Sequence, residues 1–204
     1  MNETGADNAS FARRLWAGAG VWLVLCLAAV CLRGVRWDET LEYAQAITGL
    51  VDYPGAHPMR VYARNAFSAQ TYGAAALLAA GAGPLWLCGL RNVLFLAATV
   101  LPPYLLAAQA TRRTRWGYVA AALTLEGVFL EFDGSYPLFV WPEFYSNGHI
   151  GGGCALLTLA LLVAGRTRAA AVLFGLMPAI HLGQWPPLLA LFAGRAAWLA
   201  LRRD

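Results

Sequence analysis

Lysine is missing altogether: all 15 basic residues of this 204-residue chain are arginine, set against 11 acids. Charge of either sign is scarce at 13% of the chain, about half the share usual in a water-soluble domain. That excludes an ordinary soluble domain, and a hydrophobic content of 59%, eight tryptophans and a mean hydropathy of +0.53 agree. The arginines come in short bursts, the pattern of membrane topology signals and not of a nucleic-acid footprint, so no nucleic-acid partner is expected. Cysteine is sparse as well. Cys26, Cys31, Cys88 and Cys154 lie in apolar stretches without a CxxC or Cys/His cluster, which excludes zinc and thioredoxin-like sites and leaves them as small buried hydrophobes. Neither GxGxxG before a strand, P-loop, HExxH nor GxSxG occurs, so dinucleotide, nucleotide, zinc-protease and serine-hydrolase chemistry lack their signatures. The glycines at 148–153 open an apolar stretch, where close helix packing is their expected use.

What is present is a series of apolar stretches long enough to cross a bilayer, at 15–32, 92–110, 116–132, 149–164, 169–180 and 187–201. The first is longer than a signal-peptide core and lacks a small-x-small cleavage site before Arg33, so it reads as a span. Residues 1–14 read as a disordered cytoplasmic tail, and 15–204 as one transmembrane domain. A seventh stretch, 66–90, is rich in Gly, is interrupted by Gly81-Ala82-Gly83-Pro84, and carries Gln70 and Tyr72. If it crossed fully, the bursts at 112–115, 166–168 and 202–203 would all fall outside, against the positive-inside rule. If it enters and leaves on one face, every burst falls inside with Arg13 and Arg14, and the acidic loops fall outside. The expected fold is therefore an all-α membrane protein, a polytopic helical bundle of six to seven spans with a long outer loop at 33–91. Its expected place is a bacterial inner membrane, with the N-terminus cytoplasmic.

Chemistry-bearing residues gather in the inferred outer loops. After Arg36-Trp37-Asp38-Glu39, the residues Asp38, Glu42, Gln45 and Asp52 recur on one helical side and Leu41, Ala44, Thr48 and Val51 on the other, predicting an amphipathic interfacial helix over about 38–50. Glu42 and Asp52 read as solvated acids on it; Asp38 and Glu39, at the end of the first span, can turn back over the bundle. Beyond Tyr53-Pro54-Gly55 come His57, Arg60, Tyr62 and Arg64. Two arginines and a His beside an acidic pair suit a phosphate-bearing ligand, although Arg60 and Arg64, four apart, would equally snorkel to headgroups. The second loop brings Asp133, Glu143 and His149 among interfacial aromatics, with Glu126 on a span and expected to be protonated or paired. The third brings His181 and Gln184 at a helix break, where a His is more often a cap than a ligand.

In this order the residues resemble the polytopic glycosyltransferases of the C superfold, which use polyprenyl-phosphate sugars: Trp37-Asp38-Glu39 after a first span, a membrane-surface helix, His57-Pro58 through Tyr62, then Leu90-Arg91 leading into a span that ends at Arg112-Arg113. The His181-Leu182-Gly183 turn is similar to a His-containing turn between later spans. The resemblance implies a catalytic carboxylate at Asp38, assisted by Glu39. It implies substrate contacts from His57, Arg60, Arg64, His181 and Gln184, and a divalent cation (Mg²⁺, Mn²⁺ or Ca²⁺) on Asp133 and Glu143. Implied partners are the lipid bilayer and a polyprenyl-phosphate-linked sugar. Family enzymes are considerably longer and the resemblance reaches only their N-terminal half, so a truncated enzyme, an inactive relative or one half of a split enzyme with a second membrane subunit is expected. The alternative is a non-catalytic membrane subunit or lipid-binding scaffold. A transporter ranks last, since only Glu126 lies deep along any path.

Overall fold

The computed structural model describes residues 3–35, 37, 39–55, 57, 58, 61, 65, 68–129 and 147–202. Among them the chain is all-helical, without a strand. Eight helices follow in order: α1 (Glu3–Arg33), α2 (Glu39–Thr48), α3 (Ala69–Ala79), α4 (Pro84–Thr111), α5 (Thr114–Phe129), α6 (Asn147–Val163), α7 (Thr167–His181) and, after a short 3₁₀ turn, α8 (Trp185–Leu201). Two of them hold stretches long and apolar enough to cross a membrane, Asp7–Leu32 in α1 and Pro84–Thr111. Only 33% of the most apolar window of α1 is covered by the rest of the chain, so most of its Leu, Val and Trp side chains face outward.

α4 is the central helix, packed against α1, α5 and α6. Its partners reach it through glycine. A Cβ at Gly117 would come within 2.6 Å of the Tyr104 carbonyl, and one at Gly153 would collide with the Ala98 carbonyl. The second contact has a sequence origin. Pro102 has no N–H to offer the carbonyl four residues back, so Ala98 O lacks its usual helical donor and the glycine backbone of α6 can close on it. Tyr104, fully buried, donates its hydroxyl to Leu15 O at 3.1 Å and ties α4 to α1.

The helix directions follow from contacts along their lengths. Cys26 and Val30 pack on Phe95 and Leu96, and Phe11 and Leu15 join the cluster of Tyr104 and Ala108, so α1 and α4 are antiparallel. One end of the bundle gathers arginines: Arg14, Arg112, Arg113 and Arg115 line one cleft, and Arg112 and Arg166 a second. At the opposite end Thr40 meets Arg91, Gln70 meets Ile180 and Gly151 meets His181.

The course of segment 66–90 becomes visible here, and three expectations change. Segment 66–90 does not run as one helix. α3 covers 11 residues, about 16 Å at helical rise, and the chain stands at the far end both before and after it. The break is at Gly81, whose φ of +92° suits glycine, and at Pro84 in the first turn of α4. α4 accordingly starts at Pro84, earlier than the stretch from 92, because Arg91 sits within the helix instead of at its boundary. The helix of the first loop is present over Glu39–Thr48, but Leu41 and Ala44 are wholly buried against Ala74, Ala75, Leu78, Leu87 and Cys88, so α2 packs on α3 and on the start of α4. At the N-terminus, α1 begins at Glu3 and continues through the segment read as a tail, with Phe11 buried.

Candidate functional site

The far end is assembled around Arg91. An arginine on the second turn of α4 would be costly to bury alone, yet its side chain is enclosed where α2, α3 and α4 meet. Its Nη2 donates to Thr40 Oγ1 at 2.8 Å and to Gln70 Oε1 at 3.3 Å. Gln70, on the first turn of α3, passes the connection on by donating Nε2 to Ile180 O at 3.2 Å, near the end of α7. Four helices are thus joined by one guanidinium and one amide, with donor and acceptor correctly matched at each step.

Next along α7 is His181. Its Cβ lies against Gly151, where any side chain on α6 would collide, and Gln184 Cγ approaches the same glycine. His181 Nδ1 is buried without a hydrogen-bond partner among the described residues. His57 stands in the loop after α2, stacked on Tyr53 with ring centroids 5.0 Å apart and its N–H bonded to Pro54 O at 2.8 Å. Trp37 donates its indole N–H to Glu42 at 2.9 Å, so this acid closes the entry to α2 and is not merely solvated.

Of the residues singled out from the sequence, His181 and Gln184 are brought together at Gly151, and His181 directly follows Ile180, whose carbonyl accepts from Gln70. His57 lies beyond α2 on its own loop. Asp38, Arg60, Arg64, Asp133 and Glu143 lie outside the described residues, as do the side chains of Glu39, Glu126 and His149. No group of three His, Cys, Asp or Glu able to hold a metal occurs among the described residues. Sequence reasoning missed Arg91, Thr40 and Gln70 as site residues. The signal was there: Arg91 and Gln70 are polar interruptions of apolar sequence, and each had been read as a span boundary or a span defect.

The arginine end has a different construction. Arg112 closes α4 in the left-handed conformation at φ 57°, an unusual backbone for a non-glycine residue. Its guanidinium lies over the Phe11 ring at 4.5 Å and bonds to Asn8 Oδ1. Two clefts adjoin it, of about 470 and 410 Å³. No family model matches the chain, and neither a curated protein nor a solved structure does.

Proposed function

We propose that the chain is a multi-pass membrane protein of a bacterial inner membrane, with the arginine end cytoplasmic, six crossings (α1 and α4 to α8) and α2–α3 as an outer hairpin. We further propose that its outer end handles a polyprenyl-phosphate-linked sugar, as in the C-superfold glycosyltransferases. The observation that carries this reading is the polar connection from Thr40 through Arg91 and Gln70 to the end of α7, buried at Thr40 and Arg91 and half-buried beyond, over an apolar bundle. Asp38 and Glu39 directly precede Thr40 in sequence, so a carboxylate pair enters the chain next to the residue that Arg91 grips.

On this reading an acceptor hydroxyl attacks the anomeric carbon, the bond from that carbon to the phosphate oxygen breaks, and the lipid phosphate leaves with the electron pair. Asp38 takes the hydroxyl proton, a role in which a positioned carboxylate contributes about 10²- to 10⁴-fold in rate. His57, Arg60, Arg64, His181 and Gln184 contact the substrate. The carboxylates Glu39, Asp133 and Glu143 suit a hard divalent cation, which would offset the charge of the phosphate. Asp38→Asn in the purified, lipid-reconstituted protein, assayed with a panel of polyprenyl-phosphate hexoses and pentoses, is expected to lower sugar transfer at least about 10²-fold. Unchanged transfer would remove the assignment.

One observation favours a second reading, a membrane subunit or lipid-binding scaffold without chemistry. Arg91 is engaged inside the bundle, where it fixes α2 and α3 to α4 as a purely structural bolt would.

A further inference from the structure

We infer that the cleft at the arginine end binds the headgroup of an anionic phospholipid that carries a free hydroxyl. The cleft, about 410 Å³, lies between the N-terminal half of α1, the end of α4 and the turn from α6 to α7. Arg112 and Arg166 face it together with Asn8, and among the described residues neither arginine is ion-paired. Two unneutralised guanidiniums on one cleft favour a phosphate, onto whose oxygens each can fork. The rest of the lining is mostly apolar, with Trp16 and Val163 both exposed on α1 and α6, helices that carry further outward-facing apolar side chains. Acyl chains therefore have a path out of the cleft along the helices, which a free phosphate would not use.

The second, independent observation is Gln109. The residue is 9% exposed, it lines this cleft, and its buried Oε1 has no hydrogen-bond partner among the described residues. A buried carbonyl oxygen without a donor costs free energy unless something supplies one. The missing group is a donor placed beside a phosphate, as in the glycerol hydroxyls of a phosphatidylglycerol headgroup. Choline has no such hydrogen. Arg112 is pre-positioned for the phosphate by its left-handed backbone, by the Phe11 ring and by Asn8. The site needs only the membrane placement proposed above and is independent of any transfer reaction at the other end.

The test is native mass spectrometry of the full-length protein released from nanodiscs. Mixed phosphatidylglycerol and phosphatidylcholine discs are expected to yield one retained phosphatidylglycerol per chain. Arg166→Gln, at an exposed position that should not disturb folding, is expected to weaken retention about fivefold, and Arg112→Gln by a similar factor. Gln109→Leu should abolish the preference for phosphatidylglycerol over phosphatidylethanol, an anionic phosphodiester without a headgroup hydroxyl. Equal retention of phosphatidylcholine, retention unchanged in both arginine variants, or displacement of the lipid by millimolar inorganic phosphate would each overturn the inference. Failure of the protein to enter nanodiscs at all would instead refute the membrane placement.

Discussion

At one end of the bundle Arg14, Arg112, Arg113, Arg115 and Arg166 line open clefts and are not ion-paired among the described residues; at the other, Arg91 is enclosed and bonded to Thr40 and Gln70. The same side chain thus serves two purposes within one fold. Exposed at helix ends, arginine keeps its charge available to whatever anion meets that surface. Enclosed in the first turns of α4, it spends its hydrogen bonds on holding α2 and α3 in place. Burial and partners separate the two, and the position of an arginine in the sequence alone does not.

Two pairs of substitutions probe how the ends are joined and how they differ. The larger effect is expected where α4 and α6 connect them: Gly153→Leu drives a side chain into the Ala98 carbonyl and should cost about 3 kcal/mol, seen as a lower thermal unfolding midpoint in detergent. Gly152→Leu, one residue along and facing open space, should leave that midpoint nearly unchanged. If both behave alike, α4 and α6 do not cross at Gly153. A smaller effect belongs to the far end. Arg91→Met leaves Thr40 and Gln70 Oε1 without their shared donor and should cost about 2 kcal/mol. Combining it with Thr40→Val should cost less than the sum of the single changes, because the two share one interaction. Strict additivity would mean that Arg91 does not hold α2.

Much of the helical layout was legible because apolar stretches and arginine bursts are coarse signals that tolerate errors of several residues. The break at Gly81 to Pro84 was legible too, since glycine and proline state their backbone preferences locally. What the sequence did not reveal was the role of Arg91. A basic residue between two apolar stretches looks the same whether it marks a helix end or sits inside a helix whose neighbours bury it. The packing of α2 was misjudged for a related reason: an amphipathic pattern says that one face avoids water, without saying whether lipid or α3 covers it. The helix break at His181 to Gln184 was legible because a polar interruption of an apolar stretch is visible in one dimension. Their neighbour Gly151, some thirty positions earlier, is not.

The central claim is that the arginine end and the Arg91 end lie on opposite faces of a membrane, with the chain not crossing between α2 and α4. It is tested most directly by single cysteines at Asp52, Thr111 and Gly183, all exposed, in a background with Cys26, Cys31, Cys88 and Cys154 replaced by alanine, labelled in intact cells with a membrane-impermeant maleimide. The account predicts labelling at positions 52 and 183 and protection at 111 until the cells are opened. Labelling at 52 and 111 with protection at 183 would mean that segment 66–90 crosses, and would contradict it.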